Sequence, residues 1–411
     1  MRVTIIGAGI VGLATAHAML DRGHEVVLVD PGGKQGRPTD GNAGWIAHTD
    51  IMPLASPKAW RNLPRWLMDP LGPLTIRPGY MPQLAPWLAR FVLASSPNRI
   101  EASIAAIRDI NAEALPAWKG LLSSLNLNDH LREHGILSVW RHRNSFAQAK
   151  DLLERQRSFG IPVEILGADD LPRLEPALSN VEAAVLYPDA CHVSDPALLA
   201  TDLLRLALER GAEHVPAHAL RLEPREEGVQ VRTDGAEGEV ISNRVIVAAG
   251  AWSRSLAQQL GDRIPLDTER GYNATYPKGT FGLNRPIMFE GEGFVATPLD
   301  TGDRVGGAVE FAGLDAPPNH SRTDAMVRRL TGFLPHLQAE TPAKRWMGFR
   351  PSTPDSLPVI GPAGKDRRIL YAFGHGHYGL TQAAVTAQMV AGLIDGRTGP
   401  VDEKPFAAQR F

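Results

Sequence analysis

Two glycine patterns of the form G-x-G-x-x-G stand near the two ends of the chain, in residues 7–12 and 374–379. This pattern is typical of a turn at which the backbone comes close to the phosphates of a dinucleotide. The second copy also contains His375 and His377, a residue type that ligates metals. The C-terminal pattern therefore has three interpretations: a second dinucleotide site, a metal site, or a different role.

The first glycine pattern lies in the context that a dinucleotide site requires. The hydrophobic pattern predicts a buried strand over residues 3–6, a helix over residues 10–22 and a second buried strand over residues 24–30. These elements make one βαβ unit of about 30 residues, the setting of the dinucleotide-binding turn. The sequence therefore predicts a dinucleotide site at this end.

Each glycine of the first pattern has a physical reason. Gly7 permits the tight turn, Gly9 lets the backbone approach a pyrophosphate, and Gly12 lets the helix pack on the strand. Asp30 ends the second strand 18 residues beyond Gly12, where an acid accepts hydrogen bonds from an adenosine ribose. The alternative is an ordinary tight turn with an exposed aspartate.

A polar, glycine-rich loop follows the second strand and contains Thr39, Asn42, Ala43 and Gly44. Small residues and free backbone N–H groups suit close approach to a phosphate or a flat ring. The glycine turn alone does not distinguish FAD from NAD, and a plain surface loop is the alternative.

The C-terminal pattern has a strand before it, over residues 369–373, and a helix after it, over residues 380–394. Only 32 residues follow Gly379, and they offer no buried strand and no acid at a strand end to complete a βαβ unit. His375 and His377 have no evident third metal ligand. We therefore expect no metal, and a strand–turn–helix whose glycines admit a flat ring.

Composition narrows the class of protein. Of the 411 residues, 43% are hydrophobic and 21% charged, as in ordinary globular proteins, and a net charge of −2 gives no field that favours nucleic acid. Cys191 is the single cysteine, which excludes an internal disulfide and cysteine-based metal clusters and suits a reducing compartment. No basic and apolar leader precedes the first strand, so we expect no signal peptide. No uninterrupted apolar stretch reaches the roughly 18 residues of a membrane span.

The remaining elements are predicted from periodicity. We expect strands over residues 135–141 and 244–249, an antiparallel sheet between about residues 263 and 345, and helices over residues 100–125, 145–159 and 196–210, the last with Ser194 or Asp195 as its N-cap. The chain becomes rich in proline and tryptophan from about residue 49 to residue 96, and the stretch between Trp45 and Trp87 includes Trp60 and Trp66. This stretch is interpreted as a substrate-domain core or active-site cover, with a subunit interface or a peripheral membrane contact as alternatives.

Five segments follow one another along the chain: IIGAGIVGLATAHAMLDRGHEVVLVD, DGNAGWI, RVIVAAGAWS, WMGFRPSTPDSLPVIGP and FGHGHYGLTQA. With them the chain resembles the FAD-dependent D-amino-acid oxidase superfamily over nearly its whole length. Within that superfamily it is most similar to bacterial D-amino acid dehydrogenases, including those acting on D-proline and D-hydroxyproline. The first segment is shared by many flavoproteins, whereas W-x-G-x-R-P combined with G-H-G is more specific.

The resemblance implies an α/β fold with a Rossmann-type, glutathione-reductase-like FAD-binding domain and an inserted α+β substrate domain built on an antiparallel sheet. The FAD-binding domain is expected to be discontinuous, over residues 1–48, 144–262 and 345–411. The substrate domain would then comprise residues 49–143 and 263–344.

The resemblance also implies roles by position. Arg350 matches the arginine that binds the substrate carboxylate, Tyr272 lies near the substrate pocket, and His377 would contact substrate and cofactor. The FAD pyrophosphate, ribose and flavin would be bound by Gly7, Ala8, Gly9, Ile10, Val11, Gly12, Asp30, Asn42, Ala43, Gly44, Gly250, Ala251, Trp252, Gly376, His377, Tyr378, Gly379, Leu380 and Thr381. Because the loop histidine that some relatives use to attach flavin corresponds roughly to Gly41, and Cys191 is far in sequence from the C-terminal flavin loop, we expect non-covalent FAD.

The implied reaction is oxidative deamination of a D-amino acid, D-proline or D-hydroxyproline among them, by hydride transfer from Cα to flavin N5. The product is an imino acid, which becomes a 2-oxo acid and ammonia or, from a proline ring, a cyclic imine. The alternatives are oxidation of sarcosine, glycine or opine-type secondary amines, or a flavoprotein subunit of a larger dehydrogenase. Expected partners are the amino acid and an electron acceptor such as a quinone of the respiratory chain, with no nucleic acid. A homo- or hetero-oligomer is left open, as is cytoplasmic location with or without peripheral contact at the inner face of the cell membrane.

Overall fold

The computed structural model describes residues 1–33, 36–55, 74–167, 169–338 and 343–411; Trp60 and Trp66 lie outside these ranges. The strands are β1 Arg2–Ile6, β2 Glu25–Val29, β3 Trp45–Ile46, β4 Leu74–Ile76, β5 Leu131–Arg132, β6 Ile136–Trp140, β7 Glu164–Ile165, β8 Ala183–Tyr187, β9 Cys191–Val193, β10 Glu213–Val215, β11 Ala219–Pro224, β12 Val229–Thr233, β13 Glu239–Ser242, β14 Arg244–Val247, β15 Asp267–Tyr276, β16 Ile287–Phe289, β17 Phe294–Leu299, β18 Gly302–Phe311, β19 Lys344–Ser352, β20 Val359–Pro362 and β21 Ile369–Phe373. The α-helices are Ile10–Leu20, Pro38–Gly41, Met81–Ala94, Pro97–Ala112, Ala114–Ser124, Arg143–Ala147, Lys150–Ser158, Asp170–Leu174, Pro196–Glu209, Ser253–Gln259, Ser321–Leu330 and Gly379–Asp395.

A six-stranded sheet has the order β10-β2-β1-β14-β21-β20, and its strands are parallel except for the edge strand β20. β21 is buried throughout, and β1, β2 and β14 are buried and mainly apolar after a charged first residue, as expected where both faces of a parallel sheet are covered. The helices Ile10–Leu20 and Gly379–Asp395 pack together in the core on one face. The small antiparallel sheet β11-β12-β13 contributes to the core on the other. The carboxyl ends of the parallel strands meet at one edge, where α/β sheets bind ligands.

A nine-stranded sheet has the order β19-β15-β18-β17-β16-β6-β8-β7, with β4 added beside β18. Most neighbours are antiparallel, but β6 pairs with β16, and β4 with β18, in parallel. Tyrosine and phenylalanine side chains fill its core against the helix Ser321–Leu330. The predicted fold class is therefore confirmed, with a sheet that is mixed rather than purely antiparallel.

The predicted domain borders stay a prediction. The strands β7 and β8 fall inside residues 144–262, which we assigned to the FAD-binding domain, yet they belong to the nine-stranded sheet, where β8 pairs with β6 and β7 with β8. β9 pairs with β3 and β5 in a separate three-stranded sheet.

Two predicted helices are each divided in the structure. Residues 100–125 form two helices, Pro97–Ala112 and Ala114–Ser124. Pro116 explains the break, because proline has no N–H to donate to the carbonyl one turn earlier and its ring clashes with that carbonyl. Residues 145–159 form Arg143–Ala147 and Lys150–Ser158. The helix Pro196–Glu209 begins as predicted, with the Asp195 carboxylate accepting from the Ala197 and Leu198 N–H groups at 2.7 and 3.2 Å. Within the described ranges, no helix is both long and apolar enough to cross a membrane.

Candidate active site

A cavity of about 1050 Å³ extends from the carboxyl ends of the parallel strands to the face of the nine-stranded sheet. Its volume is at the upper end of the range for small-molecule and cofactor sites. Most of the predicted site residues line it: Gly7, Gly9, Ile10, Val11, Asp30, Asn42, Ala43, Gly250, Trp252, Tyr272, Arg350, Gly376, His377, Tyr378, Gly379 and Leu380. The other predicted residues lie behind this wall: Ala8, Gly12, Gly44, Ala251 and Thr381.

The N-terminal glycine turn is closed on two sides and open on one. Gly7 has φ +104°, and a Cβ there would lie 2.5 Å from the Ala248 carbonyl oxygen. A Cβ on Gly12 would lie 1.9 Å from the Gly7 carbonyl oxygen, so Gly12 packs the helix on the turn. A Cβ on Gly9 would meet only the Thr39 hydroxyl, at 3.5 Å. The open side of Gly9 therefore faces the cavity, where a ligand can approach the backbone.

Asp30 is fixed at the end of β2 by backbone donors. Its Oδ2 accepts from the Ala8 N–H at 2.7 Å, and its Oδ1 accepts from the Gly32 N–H at 2.9 Å. Each oxygen retains a lone pair for a further donor, such as a ribose hydroxyl. Arg37 lies 3.9 Å from Oδ1, so the carboxylate is partly neutralised.

The loop after β2 is held against the nine-stranded sheet and the helix Gly379–Asp395. The Asn42 side-chain oxygen accepts from the Gly44 N–H at 2.8 Å, and Gly44 has φ +78°. Arg304 from β18 donates to the Asn42 carbonyl at 2.7 Å. Thr381 holds the next segment, since its hydroxyl accepts from the Ala47 N–H at 3.0 Å. Thr381 and Gly44 thus support the cavity wall instead of forming it.

The C-terminal glycine turn presents backbone to the same cavity. Gly374 and Gly376 have φ +83° and +52°, in the left-handed region that favours glycine. The helix Gly379–Asp395 begins at the cavity wall, so its positive N-terminal end faces the cavity. His375 is buried, contacts Thr386 at 3.0 Å, and has its pKa lowered to about 3 by burial. Among the described residues, no group of three or more histidine, cysteine or acidic side chains is arranged to hold a metal.

Arg350 lies on β19 with its guanidinium above the backbone of β15. A Cβ on Gly271 would be 2.4 Å from Cζ of Arg350, so this space exists only because residue 271 is glycine. Nη1 donates to the Ala308 carbonyl at 3.2 Å, the only hydrogen bond of this side chain within the described chain. Ala308 has φ +55° at a register shift between β15 and β18, which frees its carbonyl from the strand ladder. The remaining guanidinium donors are available to a ligand.

Glu269 lies opposite Arg350 in the register of β15 and β19, and sequence reasoning missed it. Its carboxylate contacts Nε2 of His377 at 2.8 Å. Burial raises the pKa of Glu269, but His377 and Arg350 together outweigh that effect and leave the pKa below its usual value. The signal in the sequence was an acid inside an otherwise buried strand, three residues before Tyr272.

Tyr272 lines the cavity through its ring, because its hydroxyl is already occupied. The hydroxyl donates to Glu310 and accepts from the Asn319 N–H at 3.1 Å. Glu310 is buried and is also bound by Arg77 at 2.9 Å.

Two further cavity residues were not predicted. The Trp346 indole fills the space above two glycines, since a Cβ on Gly41 would lie 2.3 Å and one on Gly348 2.0 Å from its ring atoms. A histidine at residue 41 has no room there. Asp50 lines the cavity, and burial, followed by the nearby Glu290, raises the pKa of its carboxyl to about 7.

The family model described as FAD dependent oxidoreductase matches residues 2–393. The chain belongs to this FAD-dependent oxidoreductase family. A D-amino-acid oxidase of Bradyrhizobium diazoefficiens is 37% identical over 418 residues, covering 100% of this chain and 98% of the relative. A D-amino acid dehydrogenase of Methylobacterium sp. is 30% identical, covering 100% and 99%. The solved structure of glycine oxidase from Geobacillus kaustophilus shares the fold, with TM-score 0.78 at 20% identity over 100% and 99% of the two chains. The predicted family and cofactor are confirmed.

The residues of this family member fit FAD. Gly9 leaves space where a pyrophosphate approaches the start of the helix Ile10–Leu20, and Asp30 offers free lone pairs at the next strand end. Ala43 and Gly376 also line the cavity, and their side chains are small or absent. Residues of both glycine turns thus line one cavity.

Proposed function

We propose that the protein oxidises D-amino acids with FAD, removing hydrogen from Cα of a substrate whose carboxylate is held by Arg350. The observation that carries this proposal is the Arg350 guanidinium, seated over Gly271 with one protein acceptor and lining the same cavity as the two glycine turns. The names of the relatives that are 37% and 30% identical, D-amino-acid oxidase and D-amino acid dehydrogenase, support the substrate class.

Arg350 suits a carboxylate for electrostatic reasons. Burial lowers the pKa of Arg350, with Glu269 opposing, but a guanidinium stays charged at neutral pH. Glu269, its carboxylate neighbour, is already bound to His377. A substrate carboxylate can therefore form two parallel charge-assisted hydrogen bonds, which fix its orientation as well as its affinity.

Bound FAD supplies the hydride acceptor. Residues 7–12 would hold its pyrophosphate, and Asp30 would hold its ribose. The N-terminal end of the helix Gly379–Asp395 faces the flavin part of the cavity, where its positive end stabilises negative charge. Because Gly41 is covered by Trp346, we propose non-covalent binding.

The acceptor of the electrons and the cellular location belong to the same proposal. We propose a cytoplasmic enzyme that passes electrons to a quinone, with molecular oxygen as the alternative acceptor. The helix Met81–Ala94 supports peripheral contact with the membrane or with another subunit, since Met81, Val92 and Leu93 expose 38%, 50% and 59% of their surface.

An anaerobic titration tests the function. The purified protein is mixed with D-amino acids, D-proline, D-hydroxyproline, sarcosine and glycine, and loss of the oxidised flavin absorbance is followed. Reduction of the flavin by D-amino acids supports the proposal. Reduction by sarcosine or glycine alone would show that these compounds, and not D-amino acids, are the substrates. If no compound reduces the flavin, the proposal is refuted. Hydrogen peroxide formed in air distinguishes an oxidase from a dehydrogenase.

A further inference from the structure

His377 and Glu269 form a hydrogen-bonded pair across 108 residues of sequence. Nε2 of His377 lies 2.8 Å from Oε2 of Glu269, whose residue is only 2% exposed. Because the lowered pKa of Glu269 keeps its carboxylate ionised, Nε2 must carry the hydrogen of this bond. In the neutral imidazole, the other ring nitrogen, Nδ1, then carries the lone pair.

Nδ1 is available to a ligand. The bond to Glu269 is the only hydrogen bond of the His377 side chain within the described residues, and the side chain is 34% exposed in a residue that lines the cavity. Arg350, across the strand pair from Glu269, lines the same cavity. One carboxylate thus lies between a cation and an imidazole that both face the ligand space.

An α-amino acid carries a carboxylate and an ammonium group on the same carbon, which matches this arrangement. We infer that His377 binds the amino group of the substrate through Nδ1 and accepts one of its protons, and that Glu269 is the positioning residue that fixes the imidazole. The inference rests on the proposed function. An N–H bond of the ammonium breaks, an Nδ1–H bond forms, and the electron pair stays on the substrate nitrogen. Glu269 then neighbours an imidazolium, which it stabilises.

The pair also has a purely structural alternative, in which it only ties β15 to the C-terminal turn. An equilibrium measurement separates the two. 2-Methylalanine has no hydrogen on Cα and cannot be oxidised, and 2-methylpropanoate is the same molecule without the amino group. The ratio of their dissociation constants, measured from the change in flavin absorbance, reports what the amino group contributes.

In His377→Ala we expect this ratio to change by about tenfold or more toward equal affinity, the effect of losing one hydrogen bond to a charged group. The affinity for 2-methylpropanoate should stay within about twofold, because Arg350 remains. His336→Ala, which removes an exposed histidine that does not line the cavity, is the matched control and should retain the wild-type ratio. An unchanged ratio in His377→Ala overturns the inference.

The pH dependence of anaerobic flavin reduction is the second test. Without the His377 imidazole as proton acceptor, only substrate whose amine is already neutral reacts. In His377→Ala the rate of flavin reduction should therefore rise about tenfold per pH unit up to the pKa of the free amine. In wild type the rate should reach its plateau at a lower pH, and the plateau of Glu269→Gln should lie between those of wild type and His377→Ala. Added imidazole should restore the wild-type pH profile in His377→Ala. His377→Gln, which still donates to Glu269 but takes up no proton, must show the same displacement even if the alanine variant folds poorly.

Superimposable pH profiles would refute the proton transfer. If no amino acid reduces the wild-type flavin, the proposed function fails on that result alone, and the two dissociation constants still test the pair. If amino acids reduce the wild-type flavin and the variants show the wild-type ratio of dissociation constants and the wild-type pH profile, only the inference about His377 and Glu269 fails.

Discussion

A single methyl group at Gly271 tests the carboxylate site without removing any charge. The Cβ of Gly271→Ala would lie 2.4 Å from Cζ of Arg350 and 2.5 and 2.7 Å from its two Nη atoms. Carbon atoms pack at roughly 3.5–4.0 Å, so the guanidinium must move by about 1 Å. Gly271 lies in β15 without a positive φ, so alanine fits the backbone. The displaced atoms are the far end of a flexible side chain, and the fold should persist.

The expected loss follows from this displacement. Two parallel hydrogen bonds depend on the position of the guanidinium, and a misplacement of about 1 Å costs on the order of 100-fold in catalysis. We expect kcat/KM for the best D-amino acid to fall by about that factor, mainly through KM, with FAD still bound. The dissociation constant of a simple carboxylate should rise in parallel, and Arg350→Ala should raise KM at least as much while keeping its flavin.

The assay combines steady-state kinetics, carboxylate titration and thermal unfolding on the same preparations. Gly120→Ala is the matched control, because its Cβ would meet nothing within 4 Å. It should leave KM unchanged. If Gly271→Ala retains its flavin and shows KM and carboxylate affinity within twofold of wild type, Arg350 does not bind the substrate carboxylate from its present position.

Three further predictions concern the cofactor and the cavity. Gly9→Leu should fold, because only the Thr39 hydroxyl lies near its Cβ, but should purify colourless with FAD affinity lowered at least about 100-fold; flavin content against circular dichroism checks this. Acid precipitation of wild type should leave all flavin in the supernatant, and flavin that stays with the protein would contradict non-covalent binding. Asp50 has its pKa raised to about 7, so its stabilising contribution, full below about pH 4, is lost as pH rises toward 7. In Asp50→Asn this pH-dependent loss of stability, up to about 4 kcal/mol in the free energy of unfolding between pH 4 and 8, should disappear. If the free energy of unfolding depends on pH in the same way in both proteins, the prediction is wrong.

The sequence predicted the parts of the site that depend on neighbours along the chain. Gly7, Gly9 and Asp30 are set by a single βαβ unit, whose strands and helix were placed to within two residues. The Asp195 cap and the strand Ile369–Phe373 were likewise predicted because their signals are local. Arg350 was assigned through a family motif, and its role remains a proposal.

The parts that were missed depend on contacts between distant segments. Nothing near Gly271 in sequence indicates that a guanidinium from β19 lies on it. Glu269 gains its importance only from His377, which lies 108 residues away. Periodicity also merged helices across Pro116, where a proline inside the pattern was the signal to divide them.

The order of strands in the parallel sheet has a consequence for synthesis of the protein. β14 lies between β1 and β21, so the middle of this sheet is completed only when residues 369–373 have left the ribosome. At about 5–20 residues per second, the first βαβ unit exists for roughly 20–70 seconds before its last partners are made. Until residues 374–379 have been made, a nascent chain therefore lacks one of the two glycine turns of the proposed flavin cradle.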